Sequence, residues 1–198
     1  SVTSISGFSY CYGLEKVYLY NSGTIGEYAF DSCTELKELV IGNRIERIGR
    51  YAFEYCASLE TVTIPESVTM VNDCAFRDCR NLTTVYLKNS GVLAYGAFEY
   101  CRNLKNVHFL GNITTIGREA FGYCWVLEEI TLPESLEELE DYVFYNSSKL
   151  KIVRFTGDAP EMHSNTFGGN SLTAYYPIYN ETWTPDVLQD YGGKVTWI

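Results

Sequence analysis

The chain has 198 residues, enough for one domain or one repeat array with a substantial core. Hydrophobic residues make up 46% of it and charged residues 20%, a balance typical of folded rather than disordered chains. The net charge of -10 and the lack of any basic run argue against nucleic acid or an anionic membrane surface as a partner. Because the apolar runs are only a few residues long, we expect no direct membrane insertion.

An internal repeat of 22 or 23 residues runs through most of the sequence. Its clearest marker is a phenylalanine column, formed by Phe8, Phe30, Phe53, Phe76, Phe98, Phe121, Phe144 and Phe167. Three residues after each Phe lies a small or polar residue, namely Cys11, Cys33, Cys56, Cys79, Cys101, Cys124, Ser147 and Asn170. Leu follows six residues after Phe in seven repeats, with apolar residues three and five further on. One unit therefore reads IGxxAFxxCxxLxxVxI.

Each unit contains the same three predicted elements. The AFxxC stretch is too short for a stable free helix, so it predicts one helical or 3₁₀ turn. The LxxVxI stretch predicts a strand, and equivalent strands about 4.8 Å apart would stack into a parallel sheet on the opposite side. Stretches such as IGNRI, IPESV and LKNSG contain Gly, Pro and Asn and predict loops. Before each turn stands a further apolar column, comprising Ile25, Ile48, Val71, Leu93, Ile116 and Leu139.

The repeat pattern fails after Leu172, which predicts a solenoid of seven to eight repeats over residues 1–172 and a capping segment over 173–198. Within that segment, Thr184 followed by Pro185 predicts the start of a short helix, and KVTWI predicts a final strand. The apolar residues expected to cover the last repeat are Trp183, Val187, Leu188, Trp197 and Ile198. No equivalent cap precedes Ile5, so either residues 1–10 cap poorly or upstream repeats are missing.

The unit IGxxAFxxCxxLxxVxIP resembles the BspA-type leucine-rich repeat, which occurs on surface and secreted proteins of bacteria and of some protozoan parasites. The resemblance covers about residues 5–172, although Asn72, Ala94 and Glu140 replace the Gly of the unit. It implies an α/β-type leucine-rich repeat solenoid, mostly β, with a parallel sheet, short helical or 3₁₀ turns opposite and a C-terminal cap. It also implies a bacterial cell-surface or secreted protein of adhesive character.

The seven cysteines raise the question of a metal site or of disulfides. Six of them recur at the repeat period, which places them in a column rather than around one point, so we expect no metal ion or other cofactor. The spacing of stacked repeats would allow disulfides, but side chains in one column point the same way. We therefore predict free thiols, mostly buried, while the sequence indicates no role for Cys74, which lies outside the column.

The sequence contains no GxSxG, HExxH, P-loop or dinucleotide-binding pattern. Its densest acidic run, around Glu137 to Asp141, is typical of a solvated face. We therefore predict no catalytic residues and no enzyme activity.

The exposed strand positions are the predicted binding surface. Residues flanking the Val of LxxVxI point away from the core, and solenoids bind partners through such repeated faces. The candidate ligand-binding residues are Tyr18, Thr63, Tyr86, Lys88, His108, Thr131 and Arg154. Two alternatives remain open. In one, these residue types are present only because they suit exposed strands; in the other, a tyrosine column on the turn side, including Tyr55 and Tyr100, is the binding surface.

The sequence thus predicts a non-catalytic module that binds a protein or glycan ligand, with a host extracellular molecule as one class of partner. The alternative is a structural spacer that displays another domain and binds nothing itself. The sequence predicts neither the identity of the ligand nor the oligomeric state.

Overall fold

The computed structural model describes residues 4–198, so residues 1–3 of the predicted solenoid lie outside the described residues. The described chain is a parallel β-solenoid of stacked repeats, and no helix in this part is long and apolar enough to cross a membrane. Its strands are β1 (Ser4–Ile5), β2 (Lys16–Leu19), β3 (Gly23–Ile25), β4 (Glu38–Ile41), β5 (Ile45–Ile48), β6 (Thr61–Ile64), β7 (Met70–Val71), β8 (Thr84–Leu87), β9 (Gly91–Leu93), β10 (Asn106–Phe109), β11 (Ile113–Ile116), β12 (Glu129–Leu132), β13 (Glu138–Leu139), β14 (Ile152–Phe155), β15 (Glu161–Met162), β16 (Ser171–Tyr175) and β17 (Lys194–Trp197).

Two parallel sheets enclose the core. The even-numbered strands β2 to β16, together with β17, form what we call the face sheet. The odd-numbered strands β1 to β15 form the back sheet. The back sheet is continuous over eight strands from β1 to β15. The sequence analysis found the apolar column of the back sheet but assigned no strand there, because these strands have only two to four residues and show no clear alternation.

The phenylalanine column runs through the centre of the solenoid as a stack of nearly parallel rings. Ring centroids are 5.1 Å apart between Phe53 and Phe76 and 5.3 Å apart between Phe76 and Phe98. All the rings from Phe30 onward are buried, whereas Phe8 is 44% exposed because it has a neighbouring ring only on its C-terminal side. The prediction of a stacked, mostly β leucine-rich repeat solenoid is confirmed.

The AFxxC segments form turns stabilised by hydrogen bonds from residue i+3 to residue i, such as the bond of 3.3 Å from Cys33 N to Phe30 O. They do not extend into helices, because residues two before and two after Phe have left-handed backbone conformations. In the second repeat these are Tyr28 (φ 53°) and Ser32 (φ 58°). Cys74, for which the sequence indicated no role, occupies the first of these two positions (φ 55°) in its repeat.

The cysteine column supplies a hydrogen-bond donor to the neighbouring repeat. The Sγ atom of Cys56 donates to Phe30 O at 3.4 Å, and that of Cys79 donates to Phe53 O at 3.3 Å. All seven cysteines are free in the structure, and all except Cys11 are buried.

The C-terminal segment differs from its prediction in two respects. Strand β16 pairs with β14 across the expected boundary after Leu172, so the last repeat continues into the predicted cap. Residues 185–187 form a single turn and residues 188–190 have no regular structure, so the predicted helix is absent, and side chains donate to backbone carbonyls in this segment. Tyr191 Oη donates to Val187 O at 2.7 Å and Trp197 Nε1 to Gln189 O at 3.0 Å. The expected final strand is present as β17, and it pairs with β16.

Unlike the back sheet, the face sheet is broken twice. In the described chain no strand pairing joins β4 to β6 or β10 to β12. After β4, β8 and β10 the next residue donates its N–H to the preceding repeat, as in the bond of 3.0 Å from Lys88 N to Ile64 O, and after β14 the Thr156 hydroxyl donates to Leu132 O at 2.7 Å. Pro65 and Pro133 occupy this position after β6 and β12, and proline has no N–H to donate. The two breaks therefore coincide with the two repeats that lack this donor.

Candidate interaction surface

The predicted binding residues lie in one row across the face sheet. All except Lys88 occupy the third position of their strand, and in-register pairing places Thr63, Tyr86 and His108 side by side on β6, β8 and β10. Lys88 follows β8 directly and is exposed. The strands alternate because the second and fourth residues face the core, so the third residue faces outward. The remaining members of the row are Tyr18 on β2, Thr131 on β12 and Arg154 on β14.

An aromatic pair lies near the middle of this row. The rings of Tyr86 and His108 stack with centroids 4.9 Å apart and an interplanar angle of 13°. His108 is exposed, and Tyr86 is half-buried. The pair therefore presents a flat, partly rigid surface of the kind that carries binding energy at protein interfaces.

Both ends of the row are shaped by contacts that the sequence did not predict. The Arg154 guanidinium lies 4.4 Å from the centroid of the Tyr175 ring, and Tyr175 was assigned to the cap rather than to the binding face. At the other end, Lys16 and Glu38 form an ion pair of 3.0 Å. Hydrogen bonds from Tyr18 and Lys16 lower the pKa of Glu38, so it remains charged beside the row.

A cleft opens on the face sheet where β10 and β12 fail to pair, and we call it the β10–β12 groove. Its wider end encloses about 930 Å³ and is lined in part by Lys105, Lys149 and Lys151. The cleft continues past His108 and Thr131 and ends beyond Phe109 and Leu110. Sequence analysis missed this groove, although Pro133 was a signal that could have located it.

The turn side carries the rival aromatic surface. Tyr100 and Tyr123 stack with centroids 4.2 Å apart, and the Arg102 guanidinium lies 4.7 Å from the Trp125 ring centroid. A small cleft beside them is lined by Tyr123, Tyr142 and Tyr145 with Arg118 and Glu119. Tyr100, Tyr123 and Tyr142 are half-buried, whereas Trp125 and Tyr145 are exposed, so the turn side also presents aromatic surface to solvent.

Beneath the turn side lies a row of buried charges at the position after Phe. Arg77 lies between two carboxylates, 3.3 Å from Glu54 and 3.0 Å from Glu99. Burial raises the pKa of Glu99 to about 7, against the opposing effect of Arg77, and it also raises that of Glu54. Because Glu99 is only 3% exposed, a substrate could not reach its carboxylate. We interpret this cluster as structural.

The described residues lack a cluster of metal ligands, and their buried thiols have raised pKa values. Residues 4–198 contain no group of three or more His, Cys, Asp or Glu side chains placed to hold a metal ion. The buried thiols are poor nucleophiles, since burial raises the pKa of Cys33 to about 11 and that of Cys79 well above its usual value.

The repeat geometry agrees with the match to known sequence families. Residues 3–95 and 91–182 match the model of the BspA type Leucine rich repeat region, in six copies. The chain belongs to this family. Leucine-rich repeat folds generally mediate protein interactions, and the family is generally a non-catalytic scaffold. No curated protein sequence matches this BspA-type chain.

Solved structures show the same fold. A leucine-rich repeat protein from Bacteroides ovatus is similar over 99% of this chain and 57% of its own length, with 20% identity and a TM-score of 0.63. The pneumococcal vaccine antigen PcpA is similar over 93% of this chain and 44% of its own length, with 18% identity and a TM-score of 0.54. The BspA-type chain thus spans about half the length of these two structures.

Proposed function

We propose that this chain is a non-catalytic recognition module of a bacterial cell-surface or secreted protein, and that its face sheet binds a host or matrix protein or a glycan. The observation that carries the proposal is the in-register row of outward side chains with the Tyr86 and His108 stack at its centre. Pairing of β6, β8 and β10 holds Thr63, Tyr86 and His108 at the strand spacing, which suits an extended partner. The family assignment and the bacterial origin of the similar structures support the location.

A binding panel tests this proposal. The immobilised chain is exposed to purified extracellular matrix proteins and to a glycan array, and dissociation constants are measured for whatever is retained. For a retained ligand, Tyr86→Ala with His108→Ala should weaken binding about 30-fold or more, which corresponds to ~2 kcal/mol. The same pair should leave the fold intact, because His108 is exposed and Tyr86 lies outside the core.

The matched control removes two rings from the turn side. Tyr55→Ala with Tyr100→Ala deletes similar aromatic area, so the affinity should stay unchanged if the face sheet is the binding surface. Loss of binding in this control alone would instead identify the turn side as the binding surface. If the immobilised chain retains no protein or glycan from the panel, the result favours the alternative that the chain is a structural spacer.

A further inference from the structure

We propose that the β10–β12 groove binds an extended, acidic peptide segment of the partner, whose backbone pairs with a free strand edge and whose acidic side chains lie near Lys105, Lys149 and Lys151. The inference rests on the proposed function of the face sheet, and it specifies the partner as a protein segment rather than a glycan.

The free strand edges are the first observation. Strand β10 pairs only with β8, and β12 pairs only with β14, so each has unpaired backbone groups facing the groove. At the equivalent position one repeat earlier, Leu110 N donates to Leu87 O at 2.7 Å. Pro133 cannot make the corresponding bond to Phe109 O. A peptide in the extended conformation carries backbone donors and acceptors at the same intervals as a strand edge, which a sugar chain does not have, so it can supply the missing partners.

The floor of the groove is the second observation. Val107 and Phe109 occupy core positions of β10 but are only half-buried, whereas the equivalent Val85 and Leu87 of β8 are fully buried. These two apolar side chains are separated by one residue, so they lie on the same side of β10 and form the apolar floor of the groove. An extended peptide that places every second side chain toward the groove would cover them.

The charge at the wider end is the third observation. Lys105, Lys149 and Lys151 all line this end, in a chain whose net charge is -10. Lys16 and Lys37 form ion pairs with Glu38 and Glu15, whereas these three, like Lys88 and Lys194, form none among residues 4–198. Of the two acidic residues beside them, Glu129 is also 3.9 Å from Arg154. An acidic residue at one end of the bound segment would lie near three ammonium groups that form no ion pair, of which that of Lys151 donates to Ser171 O at 3.5 Å.

The test begins with random twelve-residue peptides displayed on phage and selected on the whole chain. The selected sequences should contain Asp or Glu at one end and alternating apolar residues beyond it. Synthetic versions of these peptides are then titrated against variants, and fluorescence anisotropy gives the dissociation constants. Failure to select any peptide, or selection of peptides without acidic residues, would overturn the proposal.

The first variant closes the groove, because Pro133→Thr restores an N–H and introduces the residue type found at Thr156 of the next repeat. It should weaken binding at least tenfold. The matched control is Pro65→Thr at the other break, which lies outside the groove and should leave binding unchanged.

The second variant, Lys149→Ala with Lys151→Ala, does not depend on groove closure. It should weaken binding at least tenfold and reduce the dependence of affinity on salt concentration. The control is Arg44→Ala with Lys194→Ala, which removes the same charge at exposed sites outside the groove. If peptides bind the lysine variant as tightly as the unaltered chain, the proposal is wrong.

The two proposals fail differently. If Tyr86→Ala weakens ligand binding and neither groove variant does, the face sheet is the binding surface and the groove proposal is wrong. If the groove variants weaken peptide binding and no matrix protein or glycan is retained, the groove proposal is supported. The proposal that the face sheet binds a matrix protein or glycan is then contradicted.

Discussion

The Ser147 hydroxyl donates a hydrogen bond of 2.8 Å to the carbonyl oxygen of Phe121, one repeat earlier. In the preceding repeat, the Cys124 thiol makes the equivalent contact to Phe98 O at 3.5 Å, and in the following repeat the Asn170 amide contacts Phe144 O at 2.9 Å. The column thus requires a small side chain that can donate a hydrogen bond to a buried carbonyl. Cysteine meets this requirement without needing its redox chemistry.

Substitution of Cys79 tests this requirement. Cys79→Ser should keep a donor for Phe53 O, whereas Cys79→Ala leaves that buried carbonyl without one and should lower the free energy of unfolding by ~1 kcal/mol more than Cys79→Ser. Urea unfolding of both variants measures the difference. Equal stability of the two variants would show that the column only fills space.

Thiol labelling tests burial. Under native conditions Cys11 should react rapidly, since it is exposed, and the other six should be protected by burial and by raised pKa values. In denaturant without reductant, all seven should react. A count of three or fewer in denaturant would mean that disulfides form.

The ring stack predicts unequal costs along the array. Phe76→Ala removes a buried ring with neighbours on both sides and should lower the free energy of unfolding by about 3–5 kcal/mol. Phe8→Ala should cost much less, since that ring is 44% exposed and stacks on Phe30 alone. Similar losses at both positions would contradict the stacked core.

Glu99 predicts a pH dependence of stability. Its pKa is raised from 4.5 to about 7 in the folded chain, so the folded state binds the proton more tightly than the unfolded state. This contribution to stability is fully present below pH 4.5 and is lost as the pH rises through about 7. Glu99→Gln should therefore flatten the decline in unfolding free energy between pH 5 and pH 8, measured by urea titration. An unchanged slope would exclude Glu99 as its source.

The C-terminal segment should be needed for solubility. Deleting Thr173–Ile198 removes β17 and most of β16, and it uncovers Phe155, whose ring lies 4.8 Å from that of Trp183. An open apolar layer with an unpaired β14 edge should cause aggregation, which light scattering detects. A truncated chain that stays monomeric with the same melting midpoint would contradict the capping role.

The repeat period determined much of this fold in advance, because each column of side chains corresponds to one layer of the solenoid. Phe53, Cys56 and Leu59 all lie in the core, as their columns predicted. The back sheet was missed because a strand as short as Met70–Val71 carries no recognisable alternation. Pairing between neighbouring repeats, rather than local propensity, makes that segment extended.

The candidate site was predicted less completely. Alternation along β8 and β10 predicted that Tyr86 and His108 face outward on adjacent strands, and the structure places them there. The groove exists because Pro133 cannot make a backbone hydrogen bond. The repeat pattern was read from the side chains that recur, so a missing backbone bond gave no signal in it. The contact of Arg154 with Tyr175 was missed because the pattern of the last repeat fails just before it.

The two prolines also give the solenoid unequal mechanical properties along its length. Under tension applied at its ends, each repeat is held to the next by the back sheet and, at every junction except two, by the face sheet as well. The junctions before β6 and β12 lack the strand pairing of the face sheet and keep the hydrogen bonds of the back sheet and of the turns. When the array is pulled, neighbouring repeats should therefore separate first at these two junctions, which divide the array into three blocks. The protein would then extend in steps rather than evenly along its length.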